Sequence, residues 1–462
     1  MTTHFPFSAE TYRARRTQFI NIVKSGKYLF LSNDEVAYNY TDNVFPYRQD
    51  SSFLYYFGLD FPGIYGIIDA DAGTTTLFAD DIDINMVIWT GPMPSMKSLA
   101  EKVGIDMVLK VEALEKSVSA DIHFLPPYRA VHSILLSKML GKDVHRIAES
   151  ASKTMIKAII AQRSIKSDEE LVLMNEATTI SETMHLAVMK ATKAGLKEYE
   201  LVALASKIAR EHGTVWSFPP IMTINGQTLH NHGHHNELTA DRILLFDGGC
   251  ELTSGYAGDL TRAYPVSGKF TNKQKEVYEI VLGAQKTAID LIKPGEAYLN
   301  CHLASAHYIF DGLKQLGITK GDSNEAVQVG AHALFFPHGL GHMIGLDVHD
   351  LENLGEDNVG YDETFSRSKQ FGLRSLRMAK KLETGHVVTV EPGIYFIPEL
   401  IALWKNEQKF SEFINYNTLE SYLDFGGIRI EDDYAVLAGG SKKLGDVNLP
   451  KEVGDVESVM SM

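Results

Sequence analysis

Five side chains in this sequence are ligand-type groups set where apolar chain would otherwise run. Asp247 closes Leu244-Leu-Phe-Asp, Asp259 lies in Tyr256-Ala-Gly-Asp-Leu-Thr-Arg, and His342 ends the glycine-rich His338-Gly-Leu-Gly-His. Glu391 interrupts Val388-Thr-Val-Glu-Pro-Gly, and Glu431 interrupts Gly427-Ile-Arg-Ile-Glu-Asp. A carboxylate in a buried strand is costly unless something neutralises it. Taken singly, each is more often a cap or a surface residue; the joint occurrence is what counts. Carboxylates converging in one pocket repel by roughly 4 kcal/mol for a pair 4 Å apart at an effective dielectric near 20. Two divalent cations remove that objection. Carboxylate-rich ligation with one imidazole suits manganese, cobalt, iron or zinc. Two such ions about 3.5–4 Å apart can hold a bridging hydroxide, a nucleophile available at neutral pH.

The elements that must position these residues follow from periodicity and punctuation. Up to about residue 160, short β-type runs (Tyr28-Leu-Phe-Leu, Gly63-Ile-Tyr-Gly-Ile-Ile-Asp, Thr74-Thr-Thr-Leu-Phe-Ala) alternate with helical stretches, the texture of a small α/β domain. Ser167 and Asp168 can cap a long helix carrying Leu171, Met174, Ala177 and Ile180, which places a boundary between a domain at 1–165 and a second at 166–462. In the second, a helix ends near His212, strands are expected at Ile221-Met-Thr-Ile and Ile243-Leu-Leu-Phe, and helices at 271–292 and 299–316. Asp259 is expected on the return strand of a hairpin with Asp247, and strands at 386–396 and 427–436 each carry a glutamate. The uneven alternation favours an α+β fold over a doubly wound parallel sheet. Segments 353–381 and 398–424 read as long surface excursions.

On these residues the chain resembles a known family. Asp247-Gly-Gly, Gly258-Asp-Leu-Thr-Arg, His338-Gly-Leu-Gly-His, Gly345-Leu-Asp-Val-His-Asp, Thr389-Val-Glu-Pro-Gly and Arg429-Ile-Glu-Asp look like the ordered signature of the metallopeptidases that include aminopeptidase P, prolidase, methionine aminopeptidase and creatinase. The resemblance implies the pita-bread catalytic fold, two αβ halves related by a pseudo-twofold. It also implies a metal pair, with Asp247 on one ion, Asp259 and Glu431 bridging both, and His342 with Glu391 on the other. Three further histidines, His338, His349 and His230, match positions that bind substrate. Their implied work is to orient the scissile carbonyl and stabilise its developing oxyanion. Glu391 is the implied proton carrier, and Arg429 an orienting group behind the carboxylates. The neighbouring His232, His234 and His235 are not assigned to the metal pair.

Retention of all five ligands argues against creatinase and against a metal-free interaction protein on the same fold, and the size of the N-terminal domain argues against methionine aminopeptidase. Phe45-Pro-Tyr-Arg-Gln-Asp-Ser-Ser-Phe-Leu-Tyr-Tyr-Phe-Gly resembles the aminopeptidase P N-terminal domain more than the prolidase one. The implied reaction is removal of an N-terminal residue before a penultimate proline by a metal-bridging hydroxide, with two divalent ions, Mn2+ first; prolidase is the alternative. Asp42 matches an aspartate of a proton-shuttle path, and Trp89 a tryptophan supplied across a subunit interface, which makes a homo-oligomer (dimer or tetramer) the expectation. The formal charge of −15 disfavours nucleic acid and anionic membrane surfaces. Cys250 and Cys301 are too few to staple 462 residues, the N-terminus lacks an apolar signal core, and no stretch reaches the roughly 20 apolar residues of a span, so the expected location is the cytoplasm.

Overall fold

The computed structural model describes residues 5–461; Met1–His4, the start of the segment read above for a signal core, and Met462 lie outside the described residues. The chain divides into two compact units, Met1–Arg163 with Asn353–Asn358, and Ser164–Glu352 with Val359–Met462.

In the N-terminal unit, Lys27–Leu31 and Tyr65–Asp69 pair antiparallel and Tyr65–Asp69 pairs in turn with Thr74–Phe78. Two short parallel strands, Met107–Leu109 and His123–Phe124, complete a five-stranded sheet. The helix Ala9–Val23 buries Phe19 edge-on against Phe30 and Tyr56. Its Arg16 is buried because the guanidinium bonds the carbonyls of Tyr56 (2.7 Å) and Val103 (2.9 Å).

The second unit repeats one order of elements. The helices Asp168–Ala191 and Glu198–Glu211 precede the antiparallel strands Ile221–Thr223, Ile243–Asp247 and Thr261–Pro265. The helices Asn272–Leu291 and Tyr298–Gln315 then precede Val387–Val390, Asp432–Leu437 and Gly440–Lys443. The first helix opens on a capping box: Ser167 Oγ accepts from the Glu170 N–H, and the Glu170 carboxylate accepts from the Ser167 N–H. Its buried Met174, Ala177, Ile180, Met184 and Val188 recur every three or four residues, one face turned to the sheet. Each half has its own apolar core.

Three expectations about strands and loops are corrected in detail. Asp259 is on the returning side of the hairpin but two residues ahead of its regular strand, in which Asp247 pairs with Thr261. The hairpin continues past that strand, with the Gly248 N–H donating to the Leu260 carbonyl and the Gly258 N–H to the Cys250 carbonyl (both 3.0 Å), so Asp259 lies on the returning limb beside Gly249, where any Cβ would strike the Gly258 carbonyl. Residues 386–396 do not form one strand, because Pro392 has no N–H to donate; Val387–Val390 ends before Glu391 and Gly393–Tyr395 resumes beside Gly427–Arg429. Glu431 sits in the matching gap of the other strand, joined by a single bridge to Thr261. Finally, 398–424 is not only excursion, since the helix Pro398–Asn406 buries Ile401 and Trp404.

Candidate active site

Strand ends and breaks aim the ligand-type residues inward, where a side chain leaves the ladder without leaving the core. Asp247 closes its strand, Glu391 and Glu431 occupy the two gaps, and Asp259 lies just ahead of the return strand. All four carboxylates line one cavity of about 720 Å³ within the second unit, together with His342, His338, His349, His230 and Arg429. The structure therefore brings together every candidate of the second unit. Asp42 and Trp89 belong to the N-terminal unit, where both are exposed.

Hydrogen atoms decide what the centre lacks. His342 Nδ1 lies 3.0 Å from the Met343 carbonyl, so the ring carries its proton there and turns a bare Nε2 inward. That nitrogen stands 3.5 Å from Asp259 Oδ2 and 3.7 Å from Glu391 Oε1. Burial, the largest cause, lowers the His342 pKa, which favours the neutral ring whose Nε2 faces these carboxylate oxygens as an acceptor. Burial first, then the charge of Asp247, pushes the Asp259 carboxyl well above its usual range; burial and the other carboxylates do the same to Glu431. Glu391 is raised by burial against the opposing pull of Arg429. Asp259 Oδ1 is buried without a hydrogen-bond partner, and donor atoms of Asp259, His342 and Glu431 lie within 4.8 Å of one another. The donor set fits divalent cations.

Arg429 organises the wall. Its Nη2 donates to Asp247 Oδ2 (2.5 Å), its Nε to Thr261 Oγ1 (3.1 Å) and its Nη1 to the Tyr395 hydroxyl (2.8 Å), while Thr261 donates to Glu431 (2.6 Å). His338 Nδ1 lies 2.7 Å from the Gly339 carbonyl and Nε2 lies 2.8 Å from the Tyr395 oxygen, so the ring accepts from Tyr395. Burial, followed by the Arg429 charge, drops the His338 pKa to about 3. His349 packs with its ring centroid 4.1 Å from that of His342 and directs Nδ1 toward Glu352. Of the histidine tract, His232 also lines the cavity, whereas His234 bonds the Pro220 carbonyl.

Two residues, one behind the cavity wall and one on it, are not singled out by the sequence. Tyr395 joins His338 to Arg429, but a tyrosine in an apolar strand is ordinary; its only signal was the place four residues after Glu391. Arg377 lines the cavity from inside the stretch read as an excursion. Among the described residues no helix is long and apolar enough to cross a membrane.

Residues 172–438 match the model of metallopeptidase family M24, and residues 12–123 that of the aminopeptidase P N-terminal domain. The human Xaa-Pro dipeptidase is 34% identical over 451 residues, which cover 95% of this chain and 90% of the relative. A probable Xaa-Pro aminopeptidase of Botryotinia fuckeliana is 33% identical over 91% of this chain and 89% of its own. Among solved structures, aminopeptidase P from E. coli with the inhibitor Pro-Leu superposes with a TM-score of 0.81 at 28% identity, covering 98% of each chain. A cavity rich in buried carboxylates, carried on a fold shared throughout its length with these enzymes, therefore has a plain reading: the chain belongs to metallopeptidase family M24, with an aminopeptidase P-type N-terminal domain.

Proposed function

We propose that the protein hydrolyses the bond between an N-terminal residue and a penultimate proline, with Asp247, Asp259, His342, Glu391 and Glu431 holding two divalent cations, manganese first. The observation that carries this is the bare Nε2 of His342 facing carboxylate oxygens of Asp259 and Glu391 at 3.5 and 3.7 Å. When bound, such a pair supplies a water acidic enough to react at neutral pH and polarises the carbonyl.

The chain's own groups do the rest. The carboxylate-rich floor attracts the substrate's N-terminal ammonium. Glu391 takes the proton of the water whose oxygen adds to the scissile carbonyl, and delivers it to the proline nitrogen as the C–N bond breaks. His349 and His230 on the cavity wall orient that carbonyl, and His338, both nitrogens engaged, fixes the wall beside it. Recognition needs no N–H from the residue after the cut, which suits proline. A cavity of about 720 Å³ has room for chain beyond the proline, so tripeptides and longer peptides are the favoured substrates.

One observation favours a second reading, an Xaa-Pro dipeptidase: Arg377 on the cavity wall can receive a terminal carboxylate, and the human relative carries that name. Chelator-treated protein should lose hydrolysis of an Xaa-Pro-Xaa tripeptide and regain it with Mn2+, with about two metal equivalents per chain. Exclusive cleavage of Xaa-Pro would establish the dipeptidase instead. No bound metal and no activity on manganese addition would leave an interaction protein. The free Cys250 and Cys301 support a cytoplasmic location. Trp89, 85% exposed on a helix with no buried residue, supports a homo-oligomer.

A further inference from the structure

Glu352 is not among the residues that line the cavity, yet it touches two that are. His349 Nδ1 stands 3.2 Å from Glu352 Oε2, and the same oxygen accepts Nη1 of Arg377. One carboxylate oxygen thus sets both the tilt of an imidazole and the reach of a guanidinium that face the substrate space. With Nδ1–H directed at the carboxylate, His349 keeps Nε2 for the cavity side. Glu352 Oε1 is buried without a hydrogen-bond partner. A buried unsatisfied oxygen is a cost, and a residue serving packing alone would be better replaced by an apolar one.

The chain goes to some length to put Glu352 there. Leu351, fully buried, has φ +67°, a left-handed conformation that a non-glycine residue adopts only at a cost. That turn brings Glu352 back over His349. The residue before it, Asp350, forms a 2.7 Å ion pair with Lys166, each side chain 1% exposed. Asp350 also donates its N–H to the Met343 carbonyl (2.9 Å), and its carboxylate sits so close to Gly345 that a Cβ there would come within 2.5 Å. A solvent-excluded ion pair stabilises little compared with an apolar pair of the same shape. Beside a strained residue it reads as a device for position, and backbone strain of this kind clusters at functional sites.

We propose that Glu352 is a positioning residue that fixes His349 and Arg377 relative to one another, and that the Lys166–Asp350 pair and the left-handed Leu351 hold Glu352 in place. This rests on the reading of the cavity as a peptide site. In the manganese-loaded enzyme, Glu352→Ala lowers kcat/KM for an Xaa-Pro-Xaa peptide about 10–100-fold, the usual effect of removing a partner that orients a functional imidazole. Glu352→Gln keeps an acceptor oxygen and the side-chain volume, and stays within about tenfold of the unaltered enzyme. Introduced into His349→Ala or Arg377→Ala, the Glu352→Ala loss shrinks, because part of what it positions is gone. An equal loss in all backgrounds, or no loss at all, overturns the proposal.

An activity-independent reading comes from nitrogen-15 NMR of the histidine rings in the zinc-loaded protein. The His349 ring is held as the Nδ1–H tautomer in the unaltered chain and becomes a tautomer mixture in Glu352→Ala. If the unaltered chain cleaves no Xaa-Pro peptide while this tautomer change occurs, the substrate assignment fails and the positioning role stands. Cleavage with no tautomer change sinks the positioning role alone.

Discussion

Asp259 is held in the site by its backbone, which donates to Asp433 Oδ2 at 3.1 Å, while its carboxylate faces His342 and one oxygen has no hydrogen-bond partner. Asp259→Asn therefore keeps the shape and removes the charge. We expect it to bind fewer than two metal equivalents by elemental analysis and to lose more than about 100-fold in activity, beyond the usual cost of losing an outer partner of a ligand, with an unchanged circular dichroism spectrum. Tyr395→Phe removes the oxygen shared by His338 Nε2 and Arg429 Nη1. It should cost about 1–3 kcal/mol in denaturant unfolding, as two buried polar groups lose a partner, and lower kcat more than it raises KM. A KM effect alone would place Tyr395 in uniform substrate binding. At this scale the five ligand-type residues were legible in the sequence through their joint occurrence, since any one of them alone is more often a cap or a surface residue. Arg377 was not, because a cation in polar chain is the commonest thing a surface contains. Its meaning depends on a cavity that only the folded chain closes.

The elements were legible where local rules set them and illegible where packing did. Ser167 and Asp168 announced a helix start, and the structure has one there, with a capping box between Ser167 and Glu170. Gly249 shows the opposite case. Nothing in Asp247-Gly-Gly says that the second glycine lies against the Gly258 carbonyl, yet on that close approach the limb carrying Asp259 packs. A methyl group at this position must displace the Gly258–Asp259 backbone. Gly249→Ala should destabilise the protein by about 1–3 kcal/mol, the usual cost of forcing bulk into a packed interior, and should also weaken metal binding. If calorimetry finds normal metal affinity in a destabilised Gly249→Ala, the close approach at Gly249 does not position Asp259. The helix Pro398–Asn406 escaped for another reason: Ile401 and Trp404 are three apart, the spacing of one helix face, but the run is too short for periodicity to stand out.

Across the whole molecule, burial of neutral imidazoles couples folding to protons. His332 has both ring nitrogens buried without hydrogen-bond partners, and burial, followed by the charge of His307, lowers its pKa to about 4. His302, whose ring centroid lies 6.3 Å away, is also lowered well below its ordinary value, again by burial first. His185, stacked on Phe246, falls to about 3 for the same first reason. In the unfolded chain each titrates near 6.5, so below that pH the unfolded state binds more protons than the native one. Their contribution to stability is complete above about pH 6.5 and is lost as pH falls, at about 1 kcal/mol per pH unit for each imidazole until its folded pKa is reached. The buried carboxylates of the metal-free cavity act in the opposite sense, since their raised pKa values favour the folded state at low pH, so the pH profile of the unaltered protein mixes the two. Comparison with His332→Leu cancels the carboxylates and isolates one imidazole. Urea unfolding at pH 7, 6 and 5 should show the variant gaining on the parent by about 1 kcal/mol between pH 6 and 5. A difference that stays constant over that interval would mean that the His332 ring is not kept neutral by the core around it.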